Sequence, residues 1–244
     1  MFGRRVFSFF AAFALLIAVS LSMSATSAAA MFGKGAEKTR VESPLNLAIL
    51  VQDDLVSRVG SELEVTRDFI RSLPAGSRVM VAYVRSGSLQ VRQAFTDDLE
   101  IAAKALRTPV GSTAVSPYNP YVEVIEALRK FEEGGQNPNA LLLISDGLDT
   151  SRGFDIDSAG NTIDLLRSIK EANKRNVAVY SFYAPSVGLT SWNRMAIGYG
   201  QSSLNRLSNE TGGRAFFQGS SFVTFDSYFD RLRQTLNDQY STAY

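Results

Sequence analysis

Apolar runs of strand length alternate with segments of helical spacing through most of this chain. Residues 45–51 (LNLAILV) open the series, and residues 78–84 (RVMVAYV), 140–145 (ALLLIS) and 177–183 (VAVYSFY) repeat it. Each run is apolar at nearly every position, as a strand buried on both faces must be. Residues 89–95 alternate instead, with Leu89, Val91, Gln93 and Phe95 on one side, which predicts a hairpin partner at a sheet edge. A short last strand is expected at 214–217 (RAFF). Between the strands, Leu63, Thr66, Phe69, Ile70 and Leu73 recur at helical intervals behind a Ser61/Glu64 capping box and stop at Pro74. Similar spacing predicts helices over residues 99–106, 121–131, 163–172 and 225–236, and one from 204–207 that ends at Gly212-Gly213. Residues 184–202 make a connection longer than most loops, and Trp192 and Tyr199 in it are expected to pack over the sheet.

Strands alternating with helices imply an α/β fold whose mostly parallel sheet is covered on both faces. In such sheets ligands bind at the carboxyl ends of the strands. Two of the most apolar runs lead into acid there, the first into Asp53-Asp54 and the third, 140–145, into Asp146.

The N-terminus changes the accounting. Residues 1–30 hold Arg4 and Arg5, a 16-residue apolar run from Val6 to Leu21, and a small-residue close at Ala28-Ala29-Ala30. This three-part pattern predicts a secretory signal peptide, and the run is shorter than the roughly 20 residues a spanning helix needs. Exported material should therefore begin near Met31, which intact mass or N-terminal sequencing checks. A protein that keeps residues 1–30 would touch the membrane through that segment alone. Residues 31–44 read as an exposed lead-in, and 45–244 as one domain. Losing Arg4 and Arg5 with no acid takes the net charge from +1 to −1. That balance offers no footprint for nucleic acid.

The chain has no cysteine, so no disulfide-linked partner is expected. It also has no histidine, which removes the usual general base and every Ser-His nucleophile pair. What remains at the strand ends is oxygen chemistry. Asp53 and Ser57 follow the first strand, Gly111, Ser112 and Thr113 lie in a loop ahead of a helix, and Asp146 follows a central strand. Carboxylates and hydroxyls without nitrogen or sulfur suit Mg²⁺, Mn²⁺ or Ca²⁺ rather than zinc or copper. Gly198-x-Gly200 follows no predicted strand and lacks a third glycine, so a dinucleotide site is not expected. Asp97-Asp98 suits a helix N-terminus, and Asp149-Thr150 a solvated loop.

These segments resemble the von Willebrand factor A domains, doubly wound α/β domains with a metal-ion-dependent adhesion site at the carboxyl edge of the sheet. The first motif of that family, D-x-S-x-S, is matched by Asp53, Leu55 and Ser57 in QDDLVSR. Its second motif, a lone loop threonine, is matched by Thr113 in GSTA, and its third, an aspartate after a central hydrophobic strand, by Asp146 in ISDG. LNRLSNETGGRAFF (204–217) is similar to a segment common in exported bacterial members. The resemblance spans about residues 45–240 and implies metal ligands at Asp53, Ser57, Thr113 and Asp146, with Asp54 and Ser112 in supporting places. It departs at Leu55, which stands where the family has a serine that donates to the ion, so a Mg²⁺, Mn²⁺ or Ca²⁺ ion is expected to be held weakly or not at all. Asp54 could substitute, but an adjacent strand residue faces the other way from Asp53.

The function this implies is an exported, non-enzymatic module that binds a protein partner offering a carboxylate at the strand-end edge. The alternatives are a metal-independent structural domain of an envelope assembly and a Mg²⁺-assisted phosphoryl-transfer enzyme. No catalytic residue is expected, and no cation other than Arg58 is obviously placed to clamp phosphate.

Overall fold

The computed structural model describes residues 39–153, 162–217 and 224–240. The expected signal segment, most of the lead-in with Lys34 and Lys38, and the last four residues lie outside that set.

Six strands form one sheet in the order β3-β2-β1-β4-β5-β6. They are β1 (Asn46–Gln52), β2 (Arg78–Arg85), β3 (Ser88–Thr96), β4 (Asn139–Ser145), β5 (Val177–Tyr183) and β6 (Ala215–Phe216). All neighbours pair in parallel except β3, which turns back on β2 as the antiparallel edge strand its alternation predicts. Ser86 and Gly87, both at positive φ, make the tight turn between those two strands.

Strand side chains point alternately to the two faces, and each face is capped by three helices. Leu47, Ile49 and Val51 of β1 face α1 (Val59–Arg71), α2 (Leu99–Lys104) and α6 (Asp226–Tyr240). Phe182 sits at the centre of that layer, against Phe225, Tyr228 and Phe229. Ala48 and Leu50 face the other way, toward α3 (Pro120–Leu128), α4 (Ile163–Lys174) and α5 (Arg194–Glu210). This explains why β1 and β4 are apolar at consecutive positions: neither face meets water.

Three local expectations change. The Ser61/Glu64 capping box does not form, because α1 starts at Val59 and places Ser61 inside its first turn. The Ser61 hydroxyl donates to the Arg58 carbonyl, and Glu64 turns outward to Arg67 at 2.6 Å. The long connection 184–202 is mostly ordered structure, since α5 begins at Arg194, with Asn193 as its N-cap. Trp192 does not pack over the sheet; it is 71% exposed. The Asp97-Asp98 expectation holds, with Asp98 accepting from the Glu100 and Ile101 N–H groups at the start of α2.

The strand order reverses direction at β1, which pairs with β2 on one side and β4 on the other. Connections leave to opposite faces there, and the crevice between them opens at the carboxyl ends of β1 and β4. Asp53, Asp54 and Asp146 stand at that crevice.

Candidate functional site

Asp53 and Asp54 leave β1 on opposite sides. Asp53 is fully buried, and both its oxygens are taken by arginine. The Arg107 guanidinium donates to Oδ1 at 2.6 Å and to Oδ2 at 2.8 Å, a two-pronged pair. Arg85 approaches Oδ2 at 3.4 Å, and the Val110 N–H donates to Oδ1 at 3.1 Å. Burial alone would push this carboxyl up, but the Arg107 and Val110 hydrogen bonds and the two positive charges more than offset it. The net result is a carboxyl below its ordinary value.

Arg107 is itself held still. Its guanidinium lies 4.0 Å from the Tyr83 ring centre, its N–H donates to the Tyr83 hydroxyl at 2.6 Å, and its carbonyl accepts from that hydroxyl. The Gly111 N–H then donates to the Asp53 carbonyl at 3.0 Å. Together these bonds tie the loop that leads to Thr113 onto the end of β1.

Asp54 faces a pocket of about 210 Å³, together with Asp146, Gln52, Thr113, Ser116 and Ser186. Gln52 spaces the two carboxylates. Its amide N–H₂ donates to Asp54 Oδ1 at 2.7 Å, and its oxygen accepts from the Ser145 hydroxyl and the Asp146 N–H. Asp146 accepts from the Leu148 N–H at 3.1 Å and the Thr190 hydroxyl at 2.9 Å. Burial, then the charge of Asp146, pushes the Asp54 carboxyl up to about 6. Burial likewise raises Asp146. Among the described residues no lysine or arginine pairs with either. Two like charges facing one pocket repel, and a proton or a cation between them relieves the repulsion.

Of the expected ligands, Thr113 and Asp146 line this pocket, and Asp53 and Ser57 do not. Ser57 is exposed in the turn before α1, where its carbonyl accepts from the Gly60 N–H. Ser112 caps the short turn Thr113–Val115 by accepting from the Ala114 N–H. Leu55 is fully buried in the core layer with Val51 and Leu63, and its backbone bridges Ser186. Its apolar side chain is therefore part of the core rather than a gap in a ligand set. Arg58 is exposed and does not line the pocket. Arg107, Arg85, Gln52, Ser116 and Ser186 went unnoticed in the sequence. Arg107 lies six residues ahead of Thr113, in a stretch with no periodicity to single it out.

Gly200 sets how closely α5 meets this edge. A Cβ there would lie 2.0 Å from the Asp146 carbonyl oxygen, and one at Gly147 would lie 2.5 Å from the Gly200 carbonyl. Gly200 thus serves helix-to-strand packing, not phosphate. Gly200→Ala must push α5 away from Asp146, and should cost about 2 kcal/mol in urea unfolding.

Two larger hollows, about 500 and 350 Å³, lie at the opposite edge around Asn139 and Asn176. Several amides there already donate to backbone carbonyls, Asn137 to Gly76 and Asn173 to Glu210. They read as closure of the sheet's lower edge.

An aerotolerance-related membrane protein from Bacteroides fragilis, crystallised with multiple mutations to serines, superposes with a TM-score of 0.55 at 12% identity, over 80% of this chain and 99% of that one. BatB from Bacteroides thetaiotaomicron superposes at 0.53 and 13% identity, over 81% and 99%. The SpRpn10 VWA domain matches more loosely, at 0.47 and 13% identity, over 80% and 95%. The fold is von Willebrand factor A-like. No protein-family model matches the chain, and no curated protein matches it either. No helix among the described residues is long and apolar enough to cross a membrane.

Proposed function

We propose that the chain is an exported, non-enzymatic module that binds a protein partner at the carboxyl edge of its sheet, with a divalent cation held weakly in the pocket there. The observation that carries this reading is the pair Asp54 and Asp146, which face one pocket at the strand-order reversal with no cation of the described residues between them. The donors are oxygen alone, so Mg²⁺ or Mn²⁺ fits, and Ca²⁺ is the third candidate. Asp146 and Thr113 would be among its ligands. The ion would supply the positive charge that draws a carboxylate of the partner.

The rim supports a macromolecular partner. Tyr118, 60% exposed at the pocket mouth, holds a backbone φ of +58°, a region that bulky residues rarely adopt and that clusters at functional sites. Trp192 closes the turn that carries Leu189 of the pocket wall. Exposed aromatic residues of this kind are enriched at interfaces.

A second reading, a structural module that needs no metal, is favoured by the Asp53–Arg107 pair, which neutralises the first aspartate from within. For phosphoryl transfer the pocket lining lacks a lysine or arginine. Calorimetric titration with Mn²⁺, and pull-down on the immobilised protein with Mn²⁺ or with a chelator, separate these readings. Mn²⁺ uptake with partner retention lost in chelator supports the first. No uptake, with a partner retained in chelator, replaces it with the second.

A further inference from the structure

We infer that the two adjacent aspartates of β1 divide between structure and ligation. Asp53 is a permanently neutralised post for the loop that carries Thr113, and Asp54, one residue on, is the first-strand ligand of the cation. The inference rests on the proposed metal reading and adds which residues serve it.

An ionised carboxylate offers about four lone-pair sites. At Asp53 three are filled by hydrogen bonds, from Arg107 and the Val110 N–H on Oδ1 and from Arg107 on Oδ2, and Arg85 crowds Oδ2 at 3.4 Å. A divalent ion reaching Asp53 would have to displace a two-pronged guanidinium and then stand beside it. Arg107 cannot swing aside cheaply, since the guanidinium would give up its contact with the Tyr83 ring and its bond to the Thr108 carbonyl. Asp54 is in the opposite condition. It is buried, bonded to the neutral Gln52 amide, and faces Asp146 across the same pocket that Thr113 and Ser116 line.

Arg107 is thus a positioning residue. It removes the charge of Asp53 from the centre and fixes the loop that ends at Thr113. The departures in the sequence follow from this. With Asp54 as ligand, neither Leu55 nor Ser57 is called upon to donate, and Leu55 is free to serve the core.

Mn²⁺ binding decides it, followed by calorimetry and by the paramagnetic resonance signal of free Mn²⁺. Three proteins are compared: the parent, Asp54→Asn, and the neutral pair Asp53→Asn/Arg107→Gln. Asp54→Asn should weaken Mn²⁺ by about tenfold or more, since even the outer supports of metal ligands are worth that much. The neutral pair loses the post behind Thr113 but no direct ligand, so it should weaken Mn²⁺ clearly less than Asp54→Asn does, and it should melt earlier. Should the pair fail to fold, Asp53→Asn alone takes its place, since it leaves Arg107 on the Thr108 carbonyl and the Tyr83 ring. Retention of Mn²⁺ by Asp54→Asn, or a folded Asp53 variant that loses as much affinity as Asp54→Asn, overturns the division. A parent that takes up no Mn²⁺ removes the metal reading itself, and this assignment with it.

Discussion

Arg107→Met should lower stability by about 3 kcal/mol at neutral pH, toward the lower end of the range for breaking a buried ion pair. The methionine can keep some packing on Tyr83, so the loss is chiefly electrostatic. It strands the Asp53 carboxylate, fully buried, with only Arg85 at 3.4 Å and the Val110 N–H to answer it. The low end applies because the Arg107 side chain is 29% exposed and already shares its field with water. The pH dependence has a definite sign. The folded Asp53 carboxyl lies below its ordinary value, so the pair's contribution is present above the unfolded value and is lost as pH falls through the folded one. Urea unfolding of the parent and Arg107→Met should therefore differ most near neutrality and converge in strong acid. An equal difference at both ends would mean that Arg107 acts through packing on Tyr83 rather than through charge.

The strands were legible because burial on both faces leaves little choice of residue. Residues 177–183 coincide with β5, and residues 45–51, 78–84 and 140–145 each fall within a residue of the observed bounds. The edge strand showed itself by alternation, since one of its faces meets water. Helix starts were harder. Ser61 and Glu64 carry the right spacing for a capping box, but Val59 is fully buried in the core layer and the helix begins there. The start of α5 was obscured by Gly198 and Gly200, poor helix formers, of which Gly200 alone is required because the Asp146 carbonyl leaves no room for a Cβ there. At the site, the strand-end acids and Thr113 could be read, since the chain order of a doubly wound sheet brings them together. Which of two adjacent aspartates faces the pocket could not. That depends on Arg107, 54 residues away, and on Tyr83 of β2, the neighbouring strand of the sheet. No local pattern carries such a contact.

Glu123→Gln should remove a loss of stability that the parent suffers as pH rises from about 4.5 to 7. Glu123 lies in the first turn of α3, fully buried, with no hydrogen-bond partner for either carboxyl oxygen among the described residues. Burial pushes its carboxyl up to about 7, and the charge of Glu126 adds to the rise, while its own N–H and that of Gly87 pull slightly the other way. Glu126 is meanwhile engaged by the Leu89 N–H at 3.3 Å. Below about 4.5 the acid is protonated in the folded and unfolded chains alike, so its favourable contribution is fully present. Between that value and about 7 the unfolded chain ionises while the folded one holds its proton, so stability falls with pH. Above it the folded protein carries a buried, unpaired carboxylate. The difference of about 2.5 pH units corresponds to roughly 3 kcal/mol. Asp54 and Asp146 contribute slopes of the same sign, so the informative quantity is the gap between parent and Glu123→Gln at each pH. That gap should be small in acid and open in favour of the variant toward alkaline pH, as urea midpoints would record. The consequence reaches the site through the β2–β3 turn. Ser86, beside Gly87, donates its N–H to the Val115 carbonyl at 3.2 Å and so braces the turn that begins at Thr113. If the gap is the same at every pH, Glu123 ionises in the folded protein as it does in the unfolded chain, and some group must be offsetting its desolvation.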